Sequence, residues 1–165
     1  MIEILVVIGI IAVLAAILIP VLGSARASSQ SVACLANLRG IMMAFHLYAG
    51  DNGEKLPDPT AAQQSWESLL KNYVSNRESY HCPADGVLFE NLRSSYDWRD
   101  TPDENTTLAG KGFTEIVREK VVFVFDALPD WHRKDKINVG LSDGSTQTML
   151  HQKCLEDLDK SIYDP

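Results

Sequence analysis

Gly140-Leu141-Ser142-Asp143-Gly144 has the Gly-x-Ser-x-Gly spacing of a hydrolase nucleophile elbow. In that device a strand turns sharply into a helix and presents the serine hydroxyl to a histidine base. Here the residues after Gly144, Ser145 to Leu150, read as a strand. His151 also precedes Asp157 and Asp159, whereas the hydrolase order places the acid first. A membrane-tethered hydrolase using Ser142 is therefore carried only as an alternative. His132 lies between Trp131 and Arg133, close in sequence to Asp126 and Asp130. Its chemical reading is a ligand or pairing site. The plainer reading, preferred here, is a loop histidine that hydrogen-bonds a hairpin. His46 falls on a helical pattern and His81 adjoins Cys82; neither has the paired spacing of a His-Glu-x-x-His metal helix. The three cysteines, Cys34, Cys82 and Cys154, form no Cys-x-x-Cys pair, which argues against a zinc ribbon.

The most unusual chemical group is Glu3. It stands alone at the mouth of an apolar run: Ile4 to Ala25 is 22 residues without a charge, and Arg26 follows. As a helix the run is about 33 Å long, enough to cross the hydrocarbon core of a bilayer. A secretory signal would have a basic start and a shorter core. A buried soluble helix would carry a polar stripe. Neither is present, so residues 1–25 are expected to span a membrane. An unpaired carboxylate at such a place costs several kcal/mol, so Glu3 needs a partner charge.

The elements beyond the apolar run follow from periodicity and breakers. The helix is expected to continue to about Ala49, with Pro20 as a point of kinking. From Val32 onward it turns amphipathic, and Val32, Leu35, Leu38, Met42 and Phe45 mark the face that docks on a sheet. Gly50-Asp51-Asn52-Gly53 stops it. Asp58-Pro59 opens a second helix over roughly 60–74, with Trp66, Leu69, Leu70 and Tyr73 on its apolar face. Residues 75–112 read as irregular. Val121 to Phe125 is a strand, and 137–142 and 145–150 pair as a hairpin across Asp143-Gly144. A short helix is expected over 152–158. The fold class is therefore α+β. One long N-terminal helix, membrane-spanning in its first half and amphipathic over 26–49, packs on a small antiparallel sheet within a domain of residues 26–165. The net charge of −7 and the lack of any basic cluster exclude a phosphate-backbone binder, so no nucleic acid partner is expected.

The run Ile2-Glu3-Ile4-Leu5-Val6 through Ile19-Pro20 resembles the N-terminal helix of type IV pilins and type II secretion pseudopilins. In that family a glycine precedes the cleavage point, and Phe-Thr-Leu-Ile-Glu usually follows it. Here Met1 takes the leucine place. The glycine, phenylalanine, threonine and basic leader are not in the sequence. Either they lie upstream of Met1 or the chain lacks the processing site. Further along, Cys34-Leu-Ala-Asn-Leu-Arg39, Tyr48-Ala-Gly-Asp-Asn-Gly53, Cys82-Pro-Ala-Asp85 and Asn138-Val139 are similar to pilin-like proteins of Planctomycetes and Verrucomicrobia. So is the order of His132 and Asp143-Gly144.

The resemblance implies a structural role with no chemistry in the subunit. The chain would insert in the inner membrane, place its C-terminal domain outside the cytoplasm, and self-assemble into a helical filament that serves secretion or surface attachment. A prepilin peptidase and inner-membrane assembly machinery would be its partners. Glu3 would face the terminal amine of a neighbouring subunit. The basic residues after the helix, Arg26 and Arg39, taken alone would place the domain in the cytoplasm; the family's basic leader does the orienting instead. Outside the cytoplasm two cysteines can pair. Cys34 with Cys82 is the preferred disulfide, against three reduced buried thiols. No cofactor is expected, except that some relatives bind calcium through a C-terminal loop. Asp126, Asp130 and Asp143 offer the oxygens, against a solvated acidic loop. The acidic run from Asp97 to Glu104 reads as a solvated loop, with Trp98 as a hint of a subunit contact. A surface-binding module of the pilus-tip kind is the alternative function.

Overall fold

The computed structural model describes residues 2–163; Met1, aligned above with the family's leucine, lies outside them. Its first element, α1, runs unbroken from Ile2 to Asp51. Pro20 sits inside without ending it, so the helix tolerates the one backbone hydrogen bond that proline removes. Its end is built by backbone and side chain together. The Asn52 and Glu54 amides reach back to the Tyr48 and Ala49 carbonyls, Asn52 Nδ2 donates to the Tyr48 carbonyl at 2.7 Å, and Gly53 follows at φ +66°.

The second half of α1 docks on the sheet along a face that overlaps the expected one at Leu38, Met42 and Phe45 but departs from it at Val32 and Leu35. Cys34, Leu38, Ile41, Met42, Phe45 and Ala49 are buried, whereas Val32 is 67% exposed and Leu35 only half-buried. The stripe is thus rotated toward Ile41, an option that the spacing of Val32 and Leu35 concealed. Phe45 is its centre. It stacks on Trp98 at 5.1 Å and on Trp66 at 5.9 Å, and meets the edge of Phe123 at 5.6 Å. Such clusters add modestly to the area they bury.

The expected second helix is two. Asp58 caps α2 (Pro59–Ala62) by accepting from the Ala61 amide. Gln63 then turns left-handed at φ 52°, and Ser65 caps α3 (Trp66–Leu70). Two Ser/Asx caps seven residues apart outweigh a continuous apolar face. The stretch read as irregular holds a turn of 3-10 helix (Arg77–Tyr80), α4 (Leu88–Leu92) and a strand, β1 (Tyr96–Trp98).

β2 (Val122–Asp126), β3 (Lys136–Leu141) and β4 (Thr146–Leu150) complete a four-stranded antiparallel sheet in the order β1-β2-β3-β4, and α5 (His151–Leu158) follows. A bulge between Val122 and Val124 shifts the alternation of β2. Phe123, Val124 and Asp126 consequently serve the α1 side, while Val122 and the partly buried Phe125 join Ile137, Val139, Leu141 and Cys154 beneath α5. β3 lies under α1 at Gly140, where an added Cβ would stand 2.8 Å from Met42 Cγ and 2.9 Å from Val124 Cγ1.

The edge of the sheet is locked to the C-terminus by Arg99, whose side chain is wholly buried. Its Nε donates to the Thr106 carbonyl at 2.6 Å, and Nη2 to the carbonyls of Asp157, Leu158 and Lys160. Nη1 meets Asp157 Oδ1 at 3.1 Å. A cation thereby closes the open carbonyls at the end of α5, where the helix dipole favours it.

Candidate functional sites

Two features stand apart from ordinary core packing. The first is the N-terminal half of α1. The most apolar 18-residue window of this helix has mean hydropathy 3.3, and none of it is buried. Ile4, Leu5, Ile10, Ile11, Leu14 and Leu18 are each more than half exposed, on all sides of the helix. The helix is long and apolar enough to cross a membrane. So large a contiguous apolar surface requires lipid or protein against it. Glu3 lies in its first turn, with Lys and Arg absent until Arg26.

The second feature is a buried polar cluster where α1 crosses the sheet. Cys34 and Cys82 are joined by a disulfide with a Cα separation of 5.2 Å, the pairing preferred from the sequence, and Cys154 is free and buried. His132 Nε2 lies 3.3 Å from Cys82 Sγ and 3.7 Å from Asp126 Oδ2. Both His132 and Asp126 are buried. Asp126 Oδ2 accepts from the Asn138 amide at 2.8 Å, while Asp126 Oδ1 and His132 Nδ1 have no hydrogen-bond partner among the described residues. Burial pushes the Asp126 carboxyl up to about 7, partly offset by the Asn138 amide. Burial likewise pulls the His132 imidazole below its ordinary value. His132 is therefore not the hairpin-bonding loop histidine expected. The chain from Ala127 to Asp135 folds it inward onto the disulfide. Its sequence neighbours, Trp131 and Arg133, give no sign of this.

The surrounding loop is held by Asp85. Its carboxylate accepts from the Val87, Leu88 and Phe89 amides at 2.8 Å each, and from Ser95 Oγ at 2.6 Å. Burial raises the Asp85 carboxyl, but these hydrogen bonds outweigh it and leave the group below its ordinary value. Ser95 Oγ in turn accepts from the Cys82 amide, so the capping of α4 positions one half of the disulfide.

The remaining candidates separate. Ser142 lies in the turn between β3 and β4, where its Oγ accepts from the Val121 amide at 3.1 Å. Gly144 takes φ +80°, and Leu141 bonds Ser145 across a three-residue loop, one residue longer than the Asp-Gly signal implied. Every member of the Gly-x-Ser-x-Gly pattern thus has a packing or turn duty, and a strand follows where an elbow needs a helix. Asp143 meets Lys120 Nζ at 3.0 Å and Ser145 Oγ at 2.5 Å, and the hydrogen bonds from Ser145 and Lys120 hold it down to about 2. Asp126 and Asp143 sit at opposite ends of β2, so the structure does not bring the suggested calcium oxygens together. Asp130 turns instead to the Asp135 amide. Trp98 is 2% exposed and belongs to the core, not to a subunit contact. His46 stacks on Phe113 and His81 on Phe89, each at 4.5 Å. No family model, curated protein or solved structure matches the chain.

Proposed function

We propose that the chain is a filament-forming structural subunit of the pilin or type II secretion pseudopilin kind. The observation that carries this reading is the uncovered half of α1: a helix with mean hydropathy 3.3 over 18 residues, exposed on every side, with Glu3 as its one charge. Before assembly that segment sits in lipid, with the α+β domain outside the cytoplasm. In the filament the same surface packs against sister helices, and Glu3 finds a cationic partner there. A buried carboxylate is tolerable only when paired. Head-to-tail contacts that do not close give open helical fibres. Secretion or surface attachment then follows from the assembly.

A surface-binding module is the second reading. It is favoured by a broad groove of about 870 Å³ between α3 and α4, lined by Lys71, Arg77, Tyr80, Glu90 and Arg93 among others. Electron microscopy of material sheared from cells expressing the full chain separates the two. Filaments labelled by an antibody to the α+β domain support the first. Membrane-bound chain with no filaments, but with a ligand held in the groove, supports the second.

A further inference from the structure

We propose that in the dithiol form of the chain Cys34, Cys82, His132 and Asp126 bind one zinc ion, so that disulfide and metal are alternative closures of the same site. The potential ligand atoms of these four residues, one from each, lie within 4.8 Å of one another, and all four residues are buried. Four separate segments bring them together: Cys34 from α1, Cys82 from the loop before α4, Asp126 from the end of β2, and His132 from the loop after it. Tetrahedral zinc, with bonds of about 2.0–2.3 Å, holds its ligand atoms roughly 3.5 Å apart. Small side-chain rotations reach that geometry once the sulfurs are no longer bonded to each other.

The donor set selects the metal. Two thiolates, an imidazole and a carboxylate suit zinc, whereas calcium and magnesium require an oxygen shell. The outer contacts also fit. The Asn138 amide steadies the Asp126 carboxylate, and Ser95 holds the Cys82 backbone. Asp126 Oδ1 and His132 Nδ1 are buried without partners among the described residues. Buried groups of this kind are uncommon and require an explanation. The atoms that face each other beside the sulfur are His132 Nε2 and Asp126 Oδ2, and a cation held there offsets the cost of burying the carboxylate charge.

The chemistry balances. Two thiols bind Zn²⁺ and release two protons. A protein disulfide then oxidises the two thiolates: their S–S bond forms, the donor's S–S bond breaks, the donor takes two electrons and two protons, and Zn²⁺ leaves. The metal therefore holds α1 to the loop in the reduced chain as the disulfide does in the oxidised one.

The test uses the full chain in detergent micelles, reduced with a phosphine under anaerobic conditions, with Co²⁺ as the probe and Zn²⁺ as its competitor. The reduced chain should take up one Co²⁺, with the intense absorption of tetrahedral coordination and thiolate-to-metal charge transfer. Zn²⁺ should displace it, and the oxidised chain should bind none. Cys154→Ser should bind as before. His132→Gln and Asp126→Asn should each weaken binding about 100-fold or more. If reduction unfolds the chain, Zn²⁺ should restore its near-ultraviolet circular dichroism, because binding then drives folding. The proposal is overturned if the folded reduced chain takes up no metal, if Zn²⁺ fails to refold an unfolded one, or if the His132 and Asp126 variants bind as tightly as the parent.

Discussion

Cys34 on α1 and Cys82 in the loop before α4 are joined sulfur to sulfur across 48 positions of sequence. The bond ties the helix to a region with short elements and little core of its own. In the chain-entropy account a loop of this length stabilises the fold by about 4 kcal/mol. Mass spectrometry of non-reduced digests should show these two cysteine peptides linked and Cys154 free. Cys34→Ala should lower the stability of the oxidised protein by up to about 4 kcal/mol. Labelling of all three thiols without reductant would refute the pairing.

Arg99→Met should be among the most damaging single changes in the α+β domain. It removes the cation that closes the end of α5 and leaves the Leu158, Lys160 and Thr106 carbonyls without their partner. Loss of one partner in a buried pair costs about 3–5 kcal/mol. Arg118 still reaches Asp157, which places the expectation at the lower end. Denaturant unfolding measures it, and a loss within experimental error would show that α5 holds its place without this contact.

Asp85 gives the domain an acid-sensitive element. Its carboxyl is held below the ordinary value in the folded state, so its contribution is full above the unfolded value of about 3.9 and is lost as pH falls through the lower folded value. Asp85→Asn should flatten the stability profile in that window and cost about 1 kcal/mol at neutral pH. Thermal melts from pH 2 to 7 for parent and variant check both signs. A variant that retains the parent's acid slope would place the titration elsewhere.

Gly140→Val should destabilise by about 1–3 kcal/mol, because the new side chain meets Met42 and Val124 below contact distance. Met42→Ala should recover part of that loss in the double variant. Ser142→Ala, by contrast, should cost only about 1 kcal/mol through the Val121 amide. A double variant no better than Gly140→Val alone would mean that Met42 is not the obstacle.

The sequence carried the coarse architecture because its signals were strong and local. They include a 50-residue helix with one charged residue before Arg26, a β-branched strand, a hairpin around Asp143-Gly144, and a short final helix. The Cys34–Cys82 pairing was legible once an exported domain was assumed. What was not legible depends on contacts across the chain. β1 was missed because Tyr96-Asp97-Trp98 is too short to show alternation, and its pairing with β2 decides it. The docking face of α1 is legible at Leu38, Met42 and Phe45 but not toward its N-terminal end, because Val32 and Leu35 are as apolar as Ile41, and only the position of β3 chooses between them. The convergence of His132 and Asp126 on the disulfide has no signal in spacing at all. The bulge in β2 and the loop after it create that site.

The central claim is that the uncovered half of α1 is an assembly surface whose lone acid pairs with a neighbouring subunit. Its most direct test is the yield of sheared filaments from cells expressing full-length Glu3→Leu at the parent's membrane level, counted by electron microscopy. The variant should insert as well as the parent, since it removes a charge from an apolar helix, and should yield few or no filaments. A normal filament yield from Glu3→Leu would contradict the account.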